Sequence, residues 1–453
     1  MRKGLLKIAA IVAVAISVFS LASCQGKDGR SAYEIACENG FVGTEEQWLQ
    51  SLKGLNGNDG EDGEDLDINK MYEAALEDGF TGSMAEFLKE YFSVNVEENS
   101  RTEIIAHNVM SSVDLICTHR VSAYGQTVNT ISQGSGVIYY LEKEAGRAYI
   151  ITNYHVLHEE TSVSEGKMAE DVYIYVYGAK KSFNTATNTD PTGDPIMGRF
   201  VGGSKENDIA VIAVEDSEYL KKSAAEAVKI RSEDKPIKVG EVVRAIGNAS
   251  GRGTAVTEGV VSVDSEYIIL PSIDNSNVAA SHRVIRTDAV INRGNSGGGM
   301  FDADGKLVGI VSALSNNEKI DNVGYAIPID KAVRIADKVI ETGKATKGVL
   351  GVMLEVQSSR AYVDEFGNLQ KEERIAVSVA PTTTQSAYGK LIQGDVLKQI
   401  TLRGKTVKIT RLYKASEFLI AARVGDTVTL LIERSGVEQE ISVTFGEGHI
   451  VEI

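Results

Sequence analysis

Gly294-Asn295-Ser296-Gly297-Gly298 sets one hydroxyl among three glycines. Acyl transfer needs an exposed hydroxyl nucleophile with backbone N–H groups beside it, and glycines allow a tight loop that points those amides at the developing oxyanion. Ser296 is then the candidate nucleophile, and the N–H groups of Gly294 and Ser296 are the candidate oxyanion donors. A Gly-x-Ser-Gly-Gly string alone is equally a plain turn. The residues around it have to decide.

Working outward, a base is required, and the chain has six histidines: His107, His119, His155, His158, His282 and His449. His155 follows the strand-like Tyr149-Ile150-Ile151 in Thr152-Asn153-Tyr154-His155-Val156, a strand-end setting that its neighbour His158 lacks. The third member must accept from the imidazole N–H and hold its tautomer, so an Asp at the head of a buried strand is wanted. Asp208, heading Ile209-Ala210-Val211-Ile212, fits; Asp171, heading Val172 to Val176, is the alternative. The chain order His, Asp, Ser is that of chymotrypsin-like double β-barrels rather than of subtilisin or the α/β-hydrolases.

With these motifs stand Gly134-Ser135-Gly136-Val137-Ile138, Ala245-Ile246-Gly247-Asn248, Thr257-Glu258-Gly259-Val260-Val261-Ser262, Thr287-Asp288-Ala289-Val290-Ile291-Asn292-Arg293 and Gly324-Tyr325-Ala326-Ile327-Pro328. In that order, over roughly residues 105–340, they resemble the HtrA/Deg serine proteases. The resemblance implies two β-barrels with His155, Asp208 and Ser296 in the cleft between them. It also implies serine endopeptidase activity on unfolded or damaged proteins, no cofactor or metal, and assembly as a homotrimer. Two departures are visible: Asn248-Ala249 stands where the family usually has Asn-Pro, and the separation of His155 from Asp208 is long for the family. The excess falls in the polar stretch 159–198, which reads as an extended surface loop.

In such a cleft the primary specificity pocket is walled by residues just before the nucleophile and by the strand after it. Val290 and Ile291, then Ile310, Val311 and Ser312, are the candidates. None is acidic, so a substrate Lys or Arg would be desolvated without compensation. Cleavage after Val, Ala, Ile or Leu is the expectation.

The fold class expected is mainly β: short apolar runs with Gly, Asn and Asp turns suggest a barrel or sandwich. The candidate strands include Val137-Ile138, Val172 to Val176, Ile209 to Val214, Val242 to Ile246 and Leu307 to Val311. Near Asp330 the period turns helical through Ala332, Ile335, Ala336 and Val339, ending at Gly343. The protease domain is thus placed at 100–343. Residues 344–453 resemble a PDZ domain through Leu350-Gly351-Val352, Gly394-Asp395-Val396-Leu397 and Gly425-Asp426-Thr427-Val428. The PDZ resemblance implies strand-addition binding of peptides, with Val349, Leu350, Gly351 and Val352 at the carboxylate-capturing loop.

At the other end, Arg2, Lys3 and Lys7 precede the apolar run Ile8 to Leu21, which reads as an export signal over 1–23 and is short for a membrane span. Leu21-Ala22-Ser23-Cys24 resembles the bacterial lipobox, implying a lipid on Cys24 and attachment to the outer side of the bacterial membrane. Residues 24–99 repeat a helical hairpin: Tyr33-Glu34, Gly40-Phe41 and Trp48-Leu49 are echoed by Tyr72-Glu73, Gly79-Phe80 and Phe87-Leu88. Between the copies Gly54, Gly57, Gly60 and Gly63 recur every third residue without proline, a flexible acidic linker rather than collagen.

The formal charge of −16 is concentrated in 31–92, with 15 Asp/Glu against 3 Lys/Arg. No basic stripe points to nucleic acid. No His/Cys cluster has zinc-site spacing, and Cys37 and Cys117 fall in different modules. The rival to an enzyme is a chaperone-like or PDZ peptide-binding surface scaffold. It has no need of all three triad residues.

Overall fold

Several of the apolar runs lack the polar alternation of a half-exposed strand, and the way they pack explains it. The structure, a computed structural model, describes residues 44, 68–77, 79–84, 87, 101–123, 125–191, 193–270, 280–312, 323–365 and 367–453. The export signal, Cys24, Cys37, the Gly-x-y run and the first repeat apart from Thr44 lie outside the described residues. Among the described residues no helix is long and apolar enough to cross a membrane. The chain divides into two units, 1–96 and 97–453.

In the first unit, α1 (Ile68–Glu77) ends at Gly79, whose φ of 99° suits a residue without Cβ. The following turn folds Phe80 and Phe87 onto Tyr72, with ring centroids 5.5–6.3 Å apart. The Tyr72 hydroxyl donates to the Gly82 carbonyl at 2.9 Å. Phe87 is buried.

The second unit opens with α2 (Arg101–Met110) and then six strands: β1 (Ser112–Ala123), β2 (Gln126–Glu142), β3 (Arg147–Thr152), β4 (Asp171–Val176), β5 (Ile196–Ser204) and β6 (Ile209–Val214). They close a barrel in the order β1-β2-β3-β6-β5-β4, antiparallel throughout, with Leu115, Ile138, Ile150, Ile174 and Ile212 in its core. Every residue of β6 is buried. Ala210, Ile212 and Val214 fill the barrel, while Ile209 and Val211 face a second core with Phe301, Ile335 and Val339. Burial on both faces is why Asp208 is followed by an unbroken apolar run rather than an alternating one.

The stretch 159–198 is not one surface loop. It holds β4, whose Val172–Val176 run is buried and registered against β1. The loop that follows is pinned to the barrel by Asp190, which accepts from the Tyr175 hydroxyl at 2.6 Å and from the N–H groups of Ser182 and Gly193 at 2.9 and 2.6 Å.

A second set comprises β7 (Lys229–Ile230), β8 (Val242–Gly247), β9 (Ala255–Leu270), β10 (Ala280–Thr287), β11 (Gly299–Asp302), β12 (Lys306–Ser312) and β13 (Gly324–Pro328). The path β11-β8-β9-β10-β13-β12 closes on itself because β11 also pairs with β12. The molecule thus has two closed barrels. A helix (Ile329–Thr342) follows, burying Ala332, Ile335, Ala336 and Val339, and Gly343 caps it at φ 74°.

The C-terminal part is a sheet of β15 (Met353–Val363), β16 (Leu369–Val379), β17 (Val396–Leu402), β18 (Lys405–Lys408), β19 (Thr427–Arg434) and β20 (Val437–Thr444). Its ends are joined by β14 (Thr346–Gly348) against β21 (Ile450–Glu452). Leu350, Ile400, Phe418, Leu430 and Phe445 form its core. Among the described residues β15 pairs only with β16, so its outer edge carries no strand there.

Candidate active site

Ser296 sits in a loop whose glycines are dictated by space. Gly297 has φ 84°, and a Cβ there would lie 2.1 Å from the Ser135 carbonyl oxygen and 2.2 Å from Thr152 Oγ1. A Cβ at Gly298 would meet the Ile246 carbonyl oxygen at 2.2 Å. Gly294 has φ 98°, and Asn295 N–H donates to the Asn292 carbonyl at 3.0 Å. Those two features make a type II turn, which requires positive φ at its third residue. The loop is tied to both barrels. Gly297 N–H donates to the Val311 carbonyl at 2.9 Å, and Ser135 N–H donates to the Ser296 carbonyl at 2.8 Å.

His155 lies in the single helical turn Tyr154–Leu157 that leaves β3. Its Nδ1 is 3.0 and 2.9 Å from the two carboxylate oxygens of Asp208, and its backbone N–H donates to Oδ1 at 3.0 Å. A carboxylate only accepts, so Nδ1 carries the proton and Nε2 of the neutral ring is left with its lone pair. Asp208 is fully buried and has φ 53°, a left-handed conformation that Asp tolerates better than most residues. Asn153 Nδ2 holds its backbone carbonyl at 2.9 Å, and the Ser312 hydroxyl donates to its Oδ2 at 3.3 Å. Burial pulls the His155 ring toward its neutral form, but the charge and hydrogen bond of Asp208 outweigh this and raise its pKa.

The structure therefore brings His155 onto Asp208. It links the Ser296 loop to the same carboxylate through consecutive residues, because Val311 anchors Gly297 and Ser312 touches Asp208. Asp171 is not part of this arrangement: it heads β4 and accepts from Thr118 Oγ1 at 3.2 Å. His158 lies 3.7 Å from Glu160 instead.

The residues expected to wall the pocket differ in exposure. Ile310 and Val311 expose no surface, because their side chains are taken up by the packed cores. Ser312 is turned to Asp208. Val290, at 49% exposure, and the half-buried Ile291 remain open to solvent. In the C-terminal part, Val349 N–H donates to the His449 carbonyl at 2.9 Å, Leu350 is buried in the sheet's core, Gly351 has φ 78° and Val352 is half-buried.

Sequence reasoning missed the place of Ser312 beside Asp208, and it named Ser135 only as part of a motif, without its contact to the Ser296 loop. Neither carries a signal in sequence, since a serine inside a strand or a Gly-Ser-Gly string is compatible with many surroundings. Among the described residues no group of three or more His, Cys, Asp or Glu side chains is arranged to hold a metal ion.

Compared with known proteins, residues 134–310 match the trypsin-like peptidase domain. The chain is 30% identical over 318 residues to "Serine protease Do-like HtrA" of Bacillus subtilis (strain 168), covering 67% of this chain and 61% of that protein. It is 27% identical over 327 residues to the protein of the same description from Lactobacillus helveticus, covering 70% and 69%. This chain thus spans less than two thirds of the Bacillus relative's length. Among solved structures, "HtrA-type protease AlgW with tripeptide" superposes with a TM-score of 0.50 at 24% identity, over 77% of this chain and 97% of that one.

Proposed function

From the premise that the chain belongs to the HtrA/Deg family of trypsin-like serine proteases, we propose that it is a serine endopeptidase working through Ser296, His155 and Asp208. The observation that carries this reading is the contact of His155 Nδ1 with both oxygens of a fully buried Asp208. It fixes the ring tautomer in which Nε2 accepts a proton. Ser296 Oγ attacks the scissile carbonyl carbon as Nε2 takes its proton. The N–H groups of Gly294 and Ser296 receive the oxyanion, and the imidazolium returns the proton to the leaving amine. Water then repeats the sequence on the acyl-enzyme.

The substrates proposed are unfolded or damaged proteins outside the cytoplasm, cut without nucleotide or metal. None of Val290, Ile291, Ile310, Val311 and Ser312 carries a carboxylate, and on that ground the cut is proposed to fall after Val, Ala, Ile or Leu. A lipid on Cys24 would hold the enzyme at the membrane, and the family's homotrimer is its expected assembly. The open edge of β15, beside Val349 to Val352, is the proposed seat for an added peptide strand.

A fluorophosphonate probe should label Ser296, and the protein should digest casein with the stated preference when fragments are read by mass spectrometry. Ser296→Ala should lose both activities while keeping its thermal unfolding transition, since it deletes a single hydroxyl. Equal turnover by Ser296→Ala, or predominant cleavage after Lys or Arg, would overturn the mechanism or the pocket respectively.

A further inference from the structure

We propose that Ser135 is a positioning residue that holds the oxyanion-binding loop in shape, a role that rests on the protease reading above. Ser135 is completely buried, yet each of its four polar functions has a partner. Its hydroxyl donates to the Gly294 carbonyl at 2.7 Å and accepts from Asn248 N–H at 2.8 Å. Its own N–H donates to the Ser296 carbonyl at 2.8 Å, and its carbonyl accepts from Thr152 Oγ1 at 2.7 Å.

Two of these bonds fall on the peptide units Gly294–Asn295 and Ser296–Gly297. One grips the Gly294 carbonyl and the other the Ser296 carbonyl, so the intervening chain is clamped at both ends. The N–H groups of Gly294 and Ser296 belong to peptide planes adjoining those clamps. A glycine at φ 98° has little intrinsic preference for that conformation over its mirror region. The Ser135 hydroxyl therefore supplies what the glycine lacks, an anchor that fixes the plane following Gly294 and with it the turn.

The surroundings are built to admit this hydroxyl. A Cβ on Gly247 would lie 2.9 Å from Ser135 Oγ and 2.9 Å from Asn295 Cα, so a side chain at 247 would press on both. The bond from Asn248 N–H orients the hydroxyl as well. With one lone pair occupied by that N–H, its single proton is free to point at Gly294. Asn248 in turn accepts from Gly253 N–H at 2.7 Å through its side-chain oxygen, which braces the β8–β9 connection from which the orienting N–H comes.

A positioning role separates from a merely structural one because a mis-set oxyanion site weakens the transition state more than the ground state. In the series Ser135→Cys and Ser135→Ala, the side chain stays close to serine in size while the donor weakens and then vanishes. The full chain is used, with active sites counted by fluorophosphonate titration so that rates refer to folded enzyme. For Ser135→Ala we expect kcat to fall roughly 10–100-fold with KM within about twofold, and Ser135→Cys to lie between it and wild type.

Affinity for a peptide aldehyde, whose adduct places an oxyanion in the site, should fall by the same factor as kcat/KM. Affinity for the product peptide and the ionisation of His155 should not move. Unchanged kcat in both variants, or a loss of kcat with undiminished aldehyde affinity, overturns the proposal. Wild-type protein that neither cleaves casein nor labels sinks the protease reading instead, so the two failures are distinct.

Discussion

At the scale of single residues, the proposed chemistry depends on one buried carboxylate. The signal that pointed to Asp208, an Asp heading an apolar strand, pointed to Asp171 as well, and the contact with His155 is what sets the two apart; the place of Ser312 beside the carboxylate leaves no such mark. The pH consequence follows from the upward shift of His155, in which Asp208 overrides the effect of burial. Protonated His155 has no lone pair at Nε2, so activity should rise with pH through one ionisation lying above the ordinary imidazole value. The stability linkage has the opposite sign: the raised pKa stabilises the fold below the unfolded value, and that contribution is lost as pH climbs through the folded one. Asp208→Asn should lower kcat by about three to four orders of magnitude and release the tautomer, without unfolding the barrel. Asp171→Asn should leave the profile in place. A larger effect of Asp171→Asn in the same kcat-against-pH measurement would reassign the third member.

Secondary-structure elements follow the burial each one finds. β6 and β12 were readable because both are enclosed, and continuous apolar runs of that length have few alternatives in a β-rich chain. The β15–β16 hairpin was not readable: β15 is exposed at nearly every position, so no apolar period marks it, and its backbone pairing is supplemented by surface contacts of Arg360 and Tyr362 with Glu372. β5 carries three glycines and an arginine, so its apolar period is broken too; a Cβ at Gly198, Gly202 or Gly203 would lie 2.3–2.5 Å from packed neighbours. Ile212, at the centre of β6 with no exposed surface, is packed among Ile138, Ile150 and Ile174. Its truncation should leave a cavity the rigid barrel cannot close. Ile212→Ala is therefore expected to cost about 2–5 kcal/mol, read as a lowered urea midpoint at constant slope. Tyr140→Ala, at a position 50% exposed, should fall within about 0.5 kcal/mol of wild type. Equal midpoints for the two variants would mean that the first barrel does not unfold with its core.

For the molecule as a whole, the boundary between the second barrel and the C-terminal sheet is held by charge as well as by apolar contact, and composition gives no hint of it. Arg283 on β10, only 3% exposed, donates to Glu417 at 2.6 and 2.9 Å and to Asp330 at 2.7 Å, and its guanidinium stacks 3.9 Å from the Tyr413 ring. Lys331, also buried, lies 3.8 Å from Glu417. Arg283, Lys331, Asp330 and Glu417 thus form a quartet, with Glu417 its contribution from the C-terminal part and Arg334 4.0 Å from Asp330 at its margin. Burial alone would push protons off Arg283, but the charge of Glu417 and then of Asp330 raises its pKa, so the guanidinium stays charged. Glu417→Gln leaves two buried cations facing one carboxylate and should destabilise the protein by about 3 kcal/mol. Replacing the pair together, Arg283→Met with Glu417→Leu, exchanges two desolvated charges for apolar volume and leaves Asp330 with Arg334 at 4.0 Å, while Lys331 loses the carboxylate 3.8 Å away. The double variant should recover part of the loss, because a buried ion pair offsets its own desolvation only while both members are present. Urea midpoints of the single and double variants measure this coupling. If the double variant is no more stable than Glu417→Gln, the quartet does not hold the boundary as a unit.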